Sequence, residues 1–194
     1  MKLNLGCSDD LRDGWLNVDQ NAAAFGLHPA HFTSDGAGRI GAFGPAAAGE
    51  PGSFRIQIAD LRERWPWPDS SVDQIFAHDV FEHIDNDQFR GNRGKIWVMN
   101  EAWRVLREGG LLDLWVPSVC GIGAFCDPTH VSFWTPDDKY YFCEAWNNQQ
   151  GERGRLGPAY GIAARFSIRE WTHEMYGEAP WHRWKIKAKL VAVK

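Results

Sequence analysis

The sequence has no apolar run approaching 18 residues, which excludes a membrane-spanning helix. Its opening, Met1-Lys2-Leu3-Asn4-Leu5-Gly6, turns polar too soon for a secretory leader. Cysteine is scarce: Cys7, Cys120, Cys126 and Cys143 form no CxxC pair, which argues against a disulfide scaffold or a zinc ribbon. Free thiols in a cytoplasmic chain are the expectation. A basic excess is missing too. Twenty-one Lys and Arg face 25 Asp and Glu, for a net charge of −4, which disfavours a nucleic-acid partner. The one basic row is Lys185, Lys187, Lys189 and Lys194. Its first three alternate with Ile186, Ala188 and Leu190, the period of a strand with one wet face. Nor is there a G-x-G-x-x-G with an acid ~20 residues on, the mark of a nicotinamide dinucleotide site.

What is present fits one domain spanning residues 1–194, long enough for a single hydrophobic core. Apolar residues at 44% and charged residues at 24% are ordinary. Eleven Trp and eleven Phe are not, and most follow Trp65. Bulky core is the first expectation for them, with some lining a pocket. Phe125, Phe133, Trp134, Tyr140, Tyr141 and Trp146 are the candidate walls.

Short strands are predicted at Leu3–Leu5, Leu16–Asp19, Phe54–Ile58, Val72–Ala77 and Leu111–Val116. Residues 20–53, rich in Ala, Gly and Pro, read as an insertion, with a helical turn expected near Asn21–Phe25. Trp65-Pro66-Trp67-Pro68-Asp69 reads as a turn. Asp79–Ile84 reads as a short helix. Gly94–Arg107 reads as an amphipathic helix with Ile96, Met99, Trp103 and Leu106 on one stripe, stopped by Glu108-Gly109-Gly110. A further helix is expected from Pro136 to Trp146. Arg165–Thr172 and Trp184–Val193 alternate as an antiparallel hairpin. This order predicts an α/β three-layer sandwich, Rossmann-like, with a mostly parallel sheet and a C-terminal antiparallel hairpin.

In such a sheet, ligands sit beyond the carboxyl ends of the strands. Four strand ends carry suggestive residues. Leu5-Gly6-Cys7-Ser8 leaves room for a ligand beside the backbone. Asp19 can accept two hydrogen bonds from a ribose diol. Asp60 can accept from an exocyclic adenine amine, with Leu61 against the ring. Ala77-His78 stands where the far end of such a ligand would lie.

Leu3-Asn4-Leu5-Gly6-Cys7-Ser8 followed by Gly14-Trp15-Leu16-Asn17-Val18-Asp19 resembles the first motif of class I S-adenosylmethionine-dependent methyltransferases. Ala59-Asp60-Leu61, Trp67–Asp73, Phe81-Glu82-His83-Ile84 and Glu101–Gly110 resemble later blocks of that family, as does Asp127-Pro128-Thr129-His130 with Phe133–Pro136. Ser8 stands where the family usually has glycine. Asp19 lies only thirteen positions after Gly6, so the first crossover helix should be very short or absent. The resemblance implies S-adenosylmethionine as cofactor, bound by Leu5, Gly6, Cys7, Asp19, Asp60, Leu61 and His78. It also implies methyl transfer to an oxygen or nitrogen of a small molecule, with residues 20–53 and 118–165 covering the acceptor. The alternatives are a catalytically silent cofactor-binding or scaffold protein and, less favoured, a nucleic-acid methyltransferase. Oligomeric state is not legible.

Methyl transfer needs an aligned nucleophile and, for many acceptors, removal of a proton. His130, His78, Asp79 and His83 are the catalytic candidates, Asp79, Glu82 and His83 sharing a helix face. Three readings stand side by side: Glu82-His83 bracing the sheet, a histidine general base, and a divalent metal held by Asp79, Glu82, His83 and His130. The expectation is no metal. The last set is similar to the metal-binding pattern of small-RNA 2′-O-methyltransferases and ubiquinone-pathway O-methyltransferases, and stays as the less favoured alternative. A set of Cys120, Cys126, His130 and Cys143 lacks close ligand pairs and is weaker still.

Overall fold

The computed structural model describes residues 1–8, 10–20, 33–34, 39–43, 54–85, 94–143, 157–177 and 183–194. Its frame is a nine-stranded sheet in the order β3-β4-β5-β2-β1-β6-β7-β9-β8. The strands are β1 (Lys2–Leu5), β2 (Leu16–Asp19), β3 (Thr33–Ser34), β4 (Arg39–Phe43), β5 (Phe54–Ile58), β6 (Val72–His78), β7 (Leu106–Pro117), β8 (Phe166–Tyr176) and β9 (Arg183–Ala192). The central block β5-β2-β1-β6-β7 is parallel. β8 and β9 close one side as the predicted antiparallel hairpin. The α/β class and the Rossmann-like parallel block agree with the sequence pattern. The insertion differs from its reading as unpatterned chain, because β3 and β4 extend the sheet antiparallel beyond β5. The turn expected at Asn21–Phe25 lies outside the described residues.

Register sorts the side chains. Leu3, Leu5, Leu16, Val18, Ile75, Ala77, Leu112, Leu114, Ile186, Ala188 and Leu190 are all buried and share one face. Against it lies helix α1 (Lys95–Val105) through Val98, Met99, Ala102 and Val105, joined by Trp65, Phe81 and Trp134. Full burial of each such aliphatic contributes about 1.5–3 kcal/mol. Trp65 and Trp67 anchor the Trp-Pro-Trp-Pro turn, their indole N–H groups donating to the Leu61 carbonyl and to Gln57 Oε1. The long helix α1 lies away from the opposite face. Part of the cover there is the loop carrying Arg12 and Trp15, which packs on Phe76. No helix among the described residues is long and apolar enough to cross a membrane.

Three local expectations need correction. α1 ends at Val105 rather than at the glycines, because Leu106 turns extended and pairs with Val72 in the sheet. Gly109 (φ 72°) then shapes an irregular stretch inside β7 instead of capping a helix. Asp79–Ile84 is not a helix: only Phe81–His83 winds, as one 3-10 turn, and Asp79 sits outside it at φ 50°. The helix expected from Pro136 begins as a 3-10 turn over Pro136–Asp138 and continues as α2 (Lys139–Phe142), with Cys143 extended. Trp146 lies outside the described residues.

Candidate active site

The chain runs outward through β1, β2 and β5, then crosses back to β6 and β7. The topological switch therefore falls between β1 and β6, where open α/β sheets bind ligands. Gly6 follows β1 there and Asp79-Val80 follow β6. Gly6 has φ 60°, and a Cβ on it would come within 2.4 Å of Val80 Cγ2. Only glycine supplies both the backbone conformation and the close approach. Ser8 and Asp79 also adopt positive φ, at 42° and 50°. Strain in non-glycine residues on both sides of a cleft is typical of a ligand site.

These loops wall a cavity of about 220 Å³ lined by Gly6, Asp19, Gln20, Ala59, Leu61, Arg62, Asp79, Val80, His83 and Ile84. Gly6, Asp19 and Leu61 thus come together as the strand-end argument requires. Asp19 Oδ2 accepts from the Ser8 N–H at 3.1 Å. Asp60 stands beside the cavity rather than in its lining, and its carboxylate accepts from Arg62 Nη2 at 2.8 Å and Nε at 2.9 Å. Leu5 points into the core. Cys7 is buried behind the loop, where desolvation, followed by the neighbouring Asp19 charge, pushes its thiol up to about 12. Leu5 and Cys7 therefore support the loop without lining the cavity.

His78 goes elsewhere. The alternation of β6 turns it to the opposite sheet face, between Phe76 and Trp115, with its ring centroid 3.9 Å from that of Trp115. Its Nε2 lies 3.3 Å from Asp113 Oδ1. Burial lowers its pKa, partly offset by Asp113. It lines neither the cavity at Gly6 nor the one beside it.

That second cavity, about 540 Å³, shares Asp79 and His83 with the first. Its other walls are Glu82, Pro117, Gly123, Cys126, Asp127, Pro128, His130, Tyr176, Arg183 and Lys185. Glu82 is 1% exposed, and neither of its carboxylate oxygens makes a well-formed hydrogen bond among the described residues. Desolvation pushes its carboxyl up to about 8, and its own backbone N–H offsets only part of this. His130 Nε2 stands 3.9 Å from Glu82 Oε1, too far for a hydrogen bond. One ligand atom from each of Glu82, His83 and His130 lies within 4.8 Å of the others.

Asp79 is drawn away from that trio by an ion pair with Lys185. The expected face shared by Asp79, Glu82 and His83 fails because one 3-10 turn cannot carry the spacing. Nor does a cysteine set assemble: Cys143 is core, while Cys120 and Cys126 are exposed. Of the candidate aromatic walls, Trp134 is core, and Phe125 stacks on Phe133 at the surface.

Several site residues were not foreseen. Val80 and Arg62 carry no motif of their own, and Ile84 stands only at the end of the Phe81–Ile84 block. Lys185, Arg183 and Tyr176 come from the terminal hairpin, where the lysine row read as a wet strand face. That reading holds for Lys187 and Lys189, paired with Glu174 and Glu170, but Lys185 reaches past the end of β7 to Asp79. Asp127 has a signal in hindsight. It precedes Pro-Thr and accepts from the Thr129 N–H two residues on, the turn an aspartate makes with its own backbone.

Residues 42–113 match a family model described as a methyltransferase domain. No curated protein matches the chain. Solved structures share its fold. An S-adenosylmethionine-dependent methyltransferase from Methanosarcina mazei superposes with a TM-score of 0.55 at 14% identity, covering 100% of this chain and 92% of that one. One from Archaeoglobus fulgidus gives 0.51 at 13%, covering 97% and 85%. The N-methyltransferase NodS from Bradyrhizobium japonicum WM9, in complex with S-adenosyl-L-homocysteine, gives 0.52 at 10%, covering 100% and 78%. At such identities the structural likeness speaks for the fold, and the family match spans residues 42–113 alone. Over that segment the chain is similar to a methyltransferase domain, and its fold is one that S-adenosylmethionine-dependent methyltransferases share.

Proposed function

We propose that the protein methylates an oxygen or nitrogen of a small molecule seated in the cavity that shares Asp79 and His83 with the cofactor cleft. That common wall carries the reading, because the methyl donor and the acceptor must meet in line. The donor set suits the cofactor. Asp19 offers carboxylate oxygens to a ribose diol, Ala59 and Leu61 offer an apolar wall to a flat base, and Gly6 leaves backbone bare. S-adenosylmethionine, when bound, supplies an electrophilic methyl on a sulfonium. The protein's own task is to orient the acceptor and take up its proton. Lone pairs for that purpose gather at Glu82, His83 and His130, with Asp79 at the junction. A volume of about 540 Å³ lies within the ~300–1,000 Å³ typical of small-molecule sites. The net charge of −4 gives no footing to a polyanion. A cytoplasmic setting fits four free thiols. Residues 118–143 supply much of the acceptor wall.

Calorimetry with S-adenosylhomocysteine tests the cleft. Asp19→Ala should weaken binding at least about tenfold, the worth of a charge-assisted hydrogen bond. His78→Ala, on the far face, should leave it unchanged. Equal affinity in Asp19→Ala and the parent removes the assignment. Methyl incorporation into RNA, with none into a panel of small hydroxyl and amine compounds, would overturn the acceptor class.

A further inference from the structure

We propose that Glu82, His83 and His130 form a binding site for one divalent transition-metal ion, with open coordination positions facing the acceptor cavity. The inference rests on the reading of that cavity as the acceptor site and adds what engages the acceptor there.

Hydrogen bonding fixes the tautomers. Thr129 Oγ1 donates to Asp127 Oδ1 at 2.6 Å, so its one proton is committed. Towards His83 Nδ1, 2.9 Å away, that hydroxyl can only accept, which puts the ring proton on Nδ1 and leaves a lone pair on Nε2. His130 Nδ1 faces the Ala124 carbonyl at 3.2 Å, again an acceptor only, so its Nε2 also carries a lone pair. That Nε2 points towards Glu82, whose two buried oxygens have no hydrogen-bond donor among the described residues. Two imidazole nitrogens, each with its lone pair inward, thus converge on the Glu82 carboxyl group.

A buried carboxylate without a partner is costly, and a cation is what the trio can share. The outer contacts match what metal sites use. Each ligating histidine normally donates its other N–H to a carbonyl or to a group held by a carboxylate. Ala124 and the Asp127–Thr129 pair fill those roles. Two imidazoles with one carboxylate favour a zinc- or manganese-like ion over magnesium or calcium, which prefer all-oxygen sets. Donors on one such ion, each at ~2.1 Å, lie no more than about 4.2 Å apart. The trio, spread over 4.8 Å, needs a small inward rotation. His83, on the half-buried rim, is free to make it.

The cation would take an acceptor hydroxyl as a further ligand and lower its pKa, leaving the proton for water or a nearby base. Lys185 is unavailable as a ligand, being a cation paired with Asp79.

The test uses untagged full-length chain, stripped with chelator and titrated with Co²⁺, Zn²⁺ and Mg²⁺. One equivalent of Co²⁺ should bind and give a visible ligand-field spectrum, Zn²⁺ should displace it, and Mg²⁺ should compete at least about a hundredfold less well. Glu82→Gln should weaken Co²⁺ at least tenfold. His130→Gln does the same at the cavity rim, should the buried substitution impair folding. Thr129→Val should weaken Co²⁺ about 10–100-fold by releasing His83. S-adenosylhomocysteine binding, measured on the same samples, should persist in all three. Absence of stoichiometric Co²⁺ binding overturns the proposal, as does affinity indifferent to both ligand substitutions. If the chain binds S-adenosylhomocysteine but no metal, only the metal site falls. If it binds Co²⁺ but no S-adenosylhomocysteine, the cofactor cleft falls instead.

Discussion

The two faces of the central sheet are built from the same strands and held by different physics. Leu112 and Asp113 are consecutive in β7 and point opposite ways. On Leu112's side lie Leu3, Ile75, Leu190 and the buried stripe of α1. On Asp113's side lie His78, Trp115, Lys187, Lys189 and Glu170, around an open hollow. Arg12 caps Phe76, the His78 ring stacks on Trp115, and Lys187 sits 4.5 Å from the Trp115 ring centroid. One side removes apolar area from water, which is additive and strong. The other relies on stacked rings and screened ion pairs, which are weak singly. Stability should therefore be concentrated on one side of each strand.

The sharpest way to break this contrast is a pair of neighbouring truncations. Leu112→Ala opens a cavity in a fully buried site and should cost about 2–5 kcal/mol. Asp113→Ala, which loses a partly exposed contact to His78, should cost less than about 1 kcal/mol. Urea denaturation of the two variants measures both. Equal losses would mean that the wet face contributes as much as the core.

The covered side contains a buried carboxylate on α1, and it sets the second prediction. Glu101 on α1 is 6% exposed and accepts from Trp65 N–H at 2.9 Å and Arg104 Nη2 at 2.7 Å. Arg104 also donates to the Trp65 and Trp67 carbonyls and to Asp69, joining the helix to the Trp-Pro-Trp-Pro turn. Arg104→Ala leaves a buried carboxylate without its cation and should cost about 3 kcal/mol. Arg104→Ala with Glu101→Gln should recover part of that loss. A double variant no better than the single one would show that the hydrogen bonds to the turn matter more than the buried charge.

What was legible in the sequence divides along the same line. Period-two alternation found the parallel strands and the terminal hairpin, because burial on one face writes itself directly into residue type. Gly6 and Asp19 were legible because steric demand and strand-end position each restrict a residue locally. His78 was misplaced by one step of the same alternation: a residue at a strand tip points to one face or the other, and only register decides. The helix end at Val105 was hidden because Leu106 answers to Val72, distant in sequence, while Gly109 advertises a stop it does not make. Lys185 reached the site for a similar reason. Its partner Asp79 lies on another strand's loop, and a single wet-face rule covered all three lysines alike.

His78 offers a finer probe of the wet face, through pH. Burial lowers its folded pKa below that of the unfolded chain, with Asp113 opposing. As pH falls through the unfolded value of ~6.5, the unfolded state takes up the proton first. Stability therefore declines from neutral pH downward until the folded pKa is passed, and is unaffected above. Denaturation midpoints at a series of pH values should show His78→Phe with a shallower decline than the parent. Identical slopes would mean that His78 is no more shielded than in the unfolded chain.

The smallest effect belongs to the outer pair of that face. Lys189 Nζ meets Glu170 Oε2 at 2.6 Å across the β8–β9 ladder, both side chains well exposed. Glu170 lies beside an irregularity in the pairing after Ile168, which brings it opposite Lys189. The contact raises the lysine pKa, yet water and salt screen most of what it does for the fold. Lys189→Met should shift the thermal midpoint only slightly at low ionic strength, and not at all in molar salt. A shift that survives high salt would place the pair among buried interactions. The wet face would then be a second core left half open, and the inequality of the two sides would need another cause.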